Sequence, residues 1–324
     1  LGSSLISLDY SAGQSVSRQF YESSESADIL RESTNQFISA GYRPGADTEI
    51  KLYQIKSGRM YNNHYNADSI GSTLMVNTLK IEHKSERLGQ LELYVSEQKT
   101  AGEDDISQLK TDRDDGQVIT GLSYKLPIES AYIELFLDRS TIAADWGTSL
   151  GDIALNRQHL SFSGVFGISQ NKTRKGFEIK EFVVNINSNI IEDNGNNKSI
   201  LLNNRSSWKE SGATASVSAW DHLDVATIYL FANIGNNFRV PSINERYAHA
   251  LRPQVFSQDS LVIEYKIMKE VGAKISSRDS QSSPRFSGSV SYFSYGYTDK
   301  IKTIQYSGSP LQFPVNFGSA EISG

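Results

Sequence analysis

Cysteine is absent from all 324 residues, which removes disulfides, thiolate metal sites and cysteine nucleophiles together. Long hydrophobic runs are missing as well, and nothing approaches the roughly 20 apolar residues that a membrane-spanning helix needs. Mean hydropathy is -0.40 with 38% hydrophobic and 21% charged residues. That average does not exclude a membrane β-barrel, whose strands need apolar residues only on the lipid-facing half. Excess positive charge is also lacking: 32 Lys and Arg stand against 37 Asp and Glu, for a net charge of -5 and a pI near 5.6. No basic stripe is available to neutralise phosphates, so a nucleic-acid partner is not expected.

The signatures of catalysis are equally sparse. His83, His159 and His222 show neither H-x-x-x-H nor H-E-x-x-H spacing, and no G-x-S-x-G occurs. Asp104-Asp105 and Asp114-Asp115 lack the spacing of a calcium loop and read as solvated charge. No catalytic or metal-ligating residue is assigned, no cofactor is required, and the chain is not expected to be an enzyme.

What the sequence does contain is alternation. In Gln90-Leu91-Glu92-Leu93-Tyr94-Val95, the residues Leu91, Leu93 and Val95 share one face, with Gln90, Glu92 and Tyr94 on the other. Residues 131–138 repeat the pattern, Ala131, Ile133, Leu135 and Leu137 opposing Tyr132, Glu134, Phe136 and Asp138. Carboxylates in strand after strand suit a watery lumen better than the dry interior of a sandwich. With 16 Tyr and 14 Phe, the aromatics suit a surface that meets lipid headgroups and water.

The connections carry a second rhythm. Tight links are expected at residues 43–47, 84–86, 127–130, 172–175 and 220–222, and long polar loops at 57–72, 97–115, 139–155, 188–205 and 236–260. Short and long alternate, which in an antiparallel meander places the short turns at one end of the sheet and the long loops at the other. Residues 3–10 fit a strand and 21–32 another loop. At about 10 residues per membrane strand, this gives about 13 to 14 strands. The expectation is an all-β, antiparallel up-and-down transmembrane barrel segment with short periplasmic turns and long extracellular loops. A soluble all-β sandwich, propeller or solenoid remains open on pattern alone, although no repeat of fixed period is visible.

The last third carries motifs. Asn237-Phe238-Arg239-Val240-Pro241-Ser242-Ile243-Asn244-Glu245-Arg246-Tyr247 resembles the F-R-x-P-[ST]-x-x-E-x-Y box of TonB-dependent outer-membrane receptors. Leu261, Glu264, Glu270 and Gly272 follow like that family's next box, although Gln258-Asp259-Ser260 stands where Asn-Pro-Asn is expected and Ile263 where a Pro is. Tyr292-Phe293 with Asp299-Lys300-Ile301, and then Asn316-Phe317-Gly318-Ser319-Ala320, resemble two further boxes in the family's order. The resemblance implies that residues 1–324 are part of a barrel domain of about 22 strands, with a plug and the closing strands lying outside them. It also implies uptake of an iron-bearing ligand across the bacterial outer membrane, with outer-membrane lipid and, through the plug, the TonB complex as partners.

Residues 261–270 are similar to the haem, haemoglobin and transferrin receptor branch, where the loop between the first two boxes carries a haem-capturing His. His249 lies in that loop and is the candidate haem ligand, with haem as cargo; His64, in Tyr61-Asn62-Asn63-His64-Tyr65, is a second candidate. A siderophore or cobalamin receptor of the same family, and a passive porin or adhesin barrel, are the alternatives.

Overall fold

Alternation without helical periodicity yields one sheet. The computed structural model describes residues 5–19, 29–63, 68–106, 109–148, 151–169, 178–197, 202–222, 226–247, 261–277, 286–305 and 312–324. Its first strands are β1 (Leu5–Gln19), β2 (Ile29–Arg43), β3 (Thr48–Asn63), β4 (Asp68–Ser85) and β5 (Gly89–Ile106). Next come β6 (Leu109–Ile128), β7 (Ala131–Thr148), β8 (Gly151–Ser169), β9 (Glu178–Asn197), β10 (Leu202–His222) and β11 (Ala226–Arg239). A single-turn helix α1 (Ile243–Tyr247) precedes β12 (Glu264–Ser277), β13 (Ser287–Gln305) and β14 (Gln312–Ser323). The strands form one 14-stranded antiparallel meander in sequence order, with β1 and β14 as its edges. The expected all-β, up-and-down architecture and its strand count are both present.

The tight links at 43–47, 84–86 and 127–130 are observed, while 172–175 lies outside the described residues. Gly89 closes the second of them at φ 83°, where a Cβ would lie 2.1 Å from the Lys125 carbonyl oxygen, so no side chain fits. Residues 220–222 are strand, with His222 paired to Thr227. The polar stretches 57–72, 97–115, 139–155 and 188–205 are also mostly strand. β5 continues to Ile106 and β6 resumes at Leu109, pairing all the way. Continuing the ladder gives each backbone N–H and C=O a partner that an open loop would have to find in water. Strands therefore run to 21 residues in β10, twice the expected length. Residues 240–247, between β11 and β12, leave the sheet, and 248–260 lie outside the described residues.

The two faces differ in an inverted way. Leu91, Leu93 and Val95 are exposed while Gln90, Glu92 and Tyr94 are half-buried. In β7, Leu135 and Leu137 are 41% and 44% exposed, yet Tyr132, Glu134, Phe136 and Asp138 are half-buried. A sheet curled with its polar face inward and its apolar face outward produces that pattern, and a soluble protein would reverse it. On the inward face, Lys80 lies 2.7 Å from Glu92, Lys125 pairs with Glu134, and the Tyr94 hydroxyl donates to Asp138.

Register shows how the apolar belt is inclined. One row across the ladder runs through Leu91, Tyr124, Leu135, Gly164, Ile186, Ala213 and Asn236. It enters at the first apolar residue of β5 and leaves at Asn236, just beyond the apolar run of β11 that begins at Ile228. The belt thus slips by about 26 Å along the strands across about 29 Å of sheet, at roughly 3.3 Å per residue and 4.8 Å per strand, an inclination of about 40°. That equals the strand tilt of a membrane barrel. The β9 run from Phe182 to Ile190 spans about 26 Å along the strand, or about 20 Å when tilted, somewhat less than the roughly 25 Å belt of such barrels.

Candidate functional site

The segment 240–247 turns back onto the inner face, and its own residues build the turn. Ser242 and Glu245 form a capping box: the Glu245 amide donates to Ser242 Oγ at 3.2 Å, and the Ser242 amide donates to Glu245 Oε2 at 2.8 Å. Arg239 donates to both Glu245 oxygens at 3.0 and 2.8 Å, and its Nε lies 3.5 Å from Glu264. Burial pushes the Glu245 carboxyl up, but the Ser242 amide and the Arg239 guanidinium outweigh it and hold the pKa below its ordinary value.

Side chains of the wall receive this turn. Ile243 packs on Ala144, Trp146, Ile153 and Leu155, and Trp146 Nε1 donates to Asp115 at 2.8 Å. Pro241 is fully buried, and its carbonyl accepts from Arg157 Nη2 at 2.7 Å. Arg157 also forks onto Asp193 at 2.6 and 2.7 Å. Arg246 of α1 reaches the same carboxylate at 2.6 Å and Ser206 Oγ at 2.7 Å. Both guanidiniums lie over the Trp208 ring, 5.9 and 4.8 Å from its centroid. Asp193 is 1% exposed, so its charge is compensated almost entirely by these two arginines. A cavity of about 260 Å³ lies beside the segment, bordered by Gln98, Gln117, Trp146, Arg157 and Ile243.

The other motif residues hold backbone. Glu264 accepts from the Ile301 amide at 2.9 Å. Asn316 brackets Val262, accepting from its N–H at 2.8 Å and donating to its carbonyl at 3.1 Å, and it donates again to the Asp299 carbonyl at 2.7 Å. Asp299, at φ 53°, and Gly318, at φ 23°, interrupt the β13–β14 ladder opposite one another. Glu270 accepts from Asn233 at 3.2 Å. Gly272 sits under the Phe231 ring, which a Cβ there would meet at 2.4 Å. Phe238 pairs with Tyr265, and Tyr247 closes α1.

His249 and His64 lie outside the described residues. The carboxylate pairs are split by strand alternation: Asp104 faces inward to Arg113 at 2.6 Å, while Asp105 on the opposite face lies 3.9 Å from Lys110. Among the described residues, no group of three acids or histidines is placed to hold a metal. Sequence reasoning missed Arg157, Asp193, Ser206 and Trp208, which no motif marks.

No family model and no curated protein matches the chain. Solved structures do. The chain is similar to the copper transporter OprC, at 12% identity and TM-score 0.76, over 99% of this chain and 53% of that one. It is similar to the ferric yersiniabactin uptake receptor FyuA from Yersinia pestis, at 11% identity and TM-score 0.63, over 100% and 53%. It also matches the Serratia marcescens hemophore receptor HasR, solved with its hemophore HasA and heme, at 10% identity and TM-score 0.58, over 91% and 51%. The fold is that of the barrel wall of TonB-dependent outer-membrane receptors. The chain spans about half the length of the proteins it matches.

Proposed function

We propose that this chain is wall and ligand-facing surface of a TonB-dependent uptake receptor in the bacterial outer membrane. The observation that carries the reading is the inverted sheet, with an inclined apolar belt outside and a charged, hydrogen-bonded face inside. The cargo passes with its covalent bonds unchanged, so the protein is a transporter and not an enzyme. Energy reaches it through the TonB complex by way of a plug domain that these residues do not include.

The ligand is an iron-bearing molecule, with haem or haemoglobin placed first. Support comes from the phrase at residues 261–270, from His249 as a candidate axial ligand with His64 as the second, and from a haem-binding protein among the structural relatives. A ferric siderophore is supported equally by the relatives, FyuA among them. Uptake by cells carrying the full-length gene separates the cases. Haem-supported growth that requires TonB and is lost in His249→Ala supports haem, whereas growth unchanged in His249→Ala removes that role from His249. Diffusive uptake independent of TonB sinks the receptor reading in favour of a passive porin.

A further inference from the structure

We propose that the outward face of the sheet, at the upper edge of its apolar belt, is a docking surface for a phosphorylated glycolipid of the outer leaflet, held by Lys56, Lys99, Arg139 and Lys269. The proposal rests on the reading of the chain as the wall of an outer-membrane barrel whose tight turns face the periplasm.

Alternation places all four outside. Lys56 lies beyond Leu52 on β3, Lys99 beyond Val95 on β5 and Arg139 beyond Leu137 on β7, while Lys269 stands between Ile267 and Val271 on β12. Each is exposed. Lys56 and Lys99 share a row of the ladder through Met75, about 10 Å apart. Rows climb toward the strand tips at the belt's inclination, so register gives the other heights. Arg139 is four positions below Ala143, which continues the row of Lys99. Lys269 is two positions below Ile267, which pairs with Asn236 on the row of Leu91. At roughly 3.3 Å per residue, 4.8 Å per strand and about 40°, Lys56, Arg139 and Lys269 come to about 6, 4 and 4 Å below Lys99. Cations from four strands thus fall in one shallow band.

The protein supplies this band with almost no counter-charge. Across the ladder Lys56 borders Gln36 and Met75, Arg139 borders Thr120 and Leu160, and Lys269 borders Ile234 and Ser294, none of them charged. None of these three cations has an acidic partner among the described residues. Lys99 alone has one, Glu97 at 2.8 Å. Glu321, which accepts from Ser294 at 3.4 Å, lies two strands away from Lys269. A bare cation beside lipid is destabilising, and lipid phosphate provides the missing charge. Gln36 beside Lys56, with Thr141 and Gln158 next above Arg139, offers the amides and hydroxyl that sugar oxygens take. Nearer the tips of β5 to β8 the sign reverses on the same face. Glu103, Asp105, Asp112, Asp114, Asp145 and Asp152 stand there against Lys110, which is 3.9 Å from Asp105. These carboxylates lie about 8 to 19 Å above Lys99, repel phosphate, and so confine the headgroup to the basic band below.

The test uses the full-length protein in detergent, titrated with bis-phosphorylated lipid A, its monophosphoryl form, phosphatidylglycerol and phosphatidylcholine, with bound lipid read by native mass spectrometry. Wild type is expected to hold the bis-phosphorylated lipid most tightly and to release it as salt rises. Lys56→Gln, Arg139→Gln and Lys269→Gln together, all at exposed positions, should weaken it about 100-fold, at about five-fold for each cation near a charged lipid surface. Arg139→Lys should keep most of the binding, and Lys110→Gln, among the carboxylates, should not weaken it. Unchanged binding in the triple variant, or an equal loss in Lys110→Gln, overturns the surface. Phosphatidylglycerol held as tightly as the bis-phosphorylated lipid overturns the glycolipid as occupant. Lipid held through these cations by a protein whose uptake is independent of TonB leaves the surface standing and overturns the receptor reading instead. A full-length protein that stays folded and monomeric without detergent overturns the barrel itself.

Discussion

Replacing Asp193 by Asn keeps the shape of the inner wall while removing the charge that joins it to segment 240–247. Asp193 accepts three guanidinium hydrogen bonds at 2.6, 2.7 and 2.6 Å from Arg157 and Arg246, whose side chains are 11% and 6% exposed. The neutral amide removes the charge that Arg157 and Arg246 share at Asp193, and breaking a buried pair on one side costs about 3–5 kcal/mol. Arg246→Ala should cost less, because Asp193 then keeps its fork to Arg157. The loss is also local. With the triad broken, the segment keeps the packing of Ile243, the capping box and the Arg157–Pro241 and Arg246–Ser206 hydrogen bonds, fewer ties than the laddered strands have, so it should open before the sheet does.

Hydrogen exchange of the full-length protein in detergent reads this directly. The amides of residues 242–246 should lose protection by about two orders of magnitude or more in Asp193→Asn, while β7 and β8 change little. Replacing all three residues by apolar ones, Arg157→Met, Asp193→Leu and Arg246→Met, should restore protection toward wild type, since an apolar triad removes the desolvation cost together with the attraction. Equal protection in Asp193→Asn and wild type refutes the reasoning. So does an Arg246→Ala effect larger than that of Asp193→Asn.

Three more outcomes are expected. The Glu245 pKa is held below its ordinary value of 4.5, so its contribution is present above about pH 4.5 and is lost as pH falls through the lower folded value; segment protection should drop on acidification, and Glu245→Gln should abolish that step. Gly272→Ala places a Cβ against both the Phe231 ring and the Val290 carbonyl oxygen at 2.9 Å, costing about 1–3 kcal/mol in thermal unfolding, and Phe231→Ala should relieve the ring's share alone. Leu135→Arg, on the outward belt, should cost about 2–4 kcal/mol in lipid, whereas Phe136→Arg, one residue along and facing inward, should be milder; equal costs would contradict the assignment of faces.

The barrel was legible because alternation is a local signal. Leu91, Leu93 and Val95 declare a shared face within five positions, and that face proved to be the exposed one. Loop length was less legible, because polar composition says that a stretch meets water, not that it lacks a partner. Residues 97–115 are as polar as an open loop, yet they pair from Glu97 with Val118 to Ile106 with Leu109. The capping box could also have been read, since Ser242-Ile243-Asn244-Glu245 is the S-x-x-E pattern that opens a helical turn, inside the stretch 236–260 expected as a loop. Arg157, Asp193 and Arg246 offered no such handle. They lie 36 and 53 positions apart and meet only because register sets β8 beside β9 and the chain folds back over both.

That contrast bears on what the motif residues do. The motif residues bind the protein's own chain: Asn316 holds Val262 and Asp299, Glu264 holds Ile301, and Arg239 holds Glu245. Pro241 is buried with its carbonyl taken by Arg157. Side chains whose donors and acceptors are engaged in joinery have little left for a ligand. The boxes therefore hold the segment 240–247 and the strands β12 to β14 in place. Substitutions there should lower stability, read as a drop in the thermal unfolding midpoint, before they alter anything else, and an unchanged midpoint in Asn316→Ala would contradict that role.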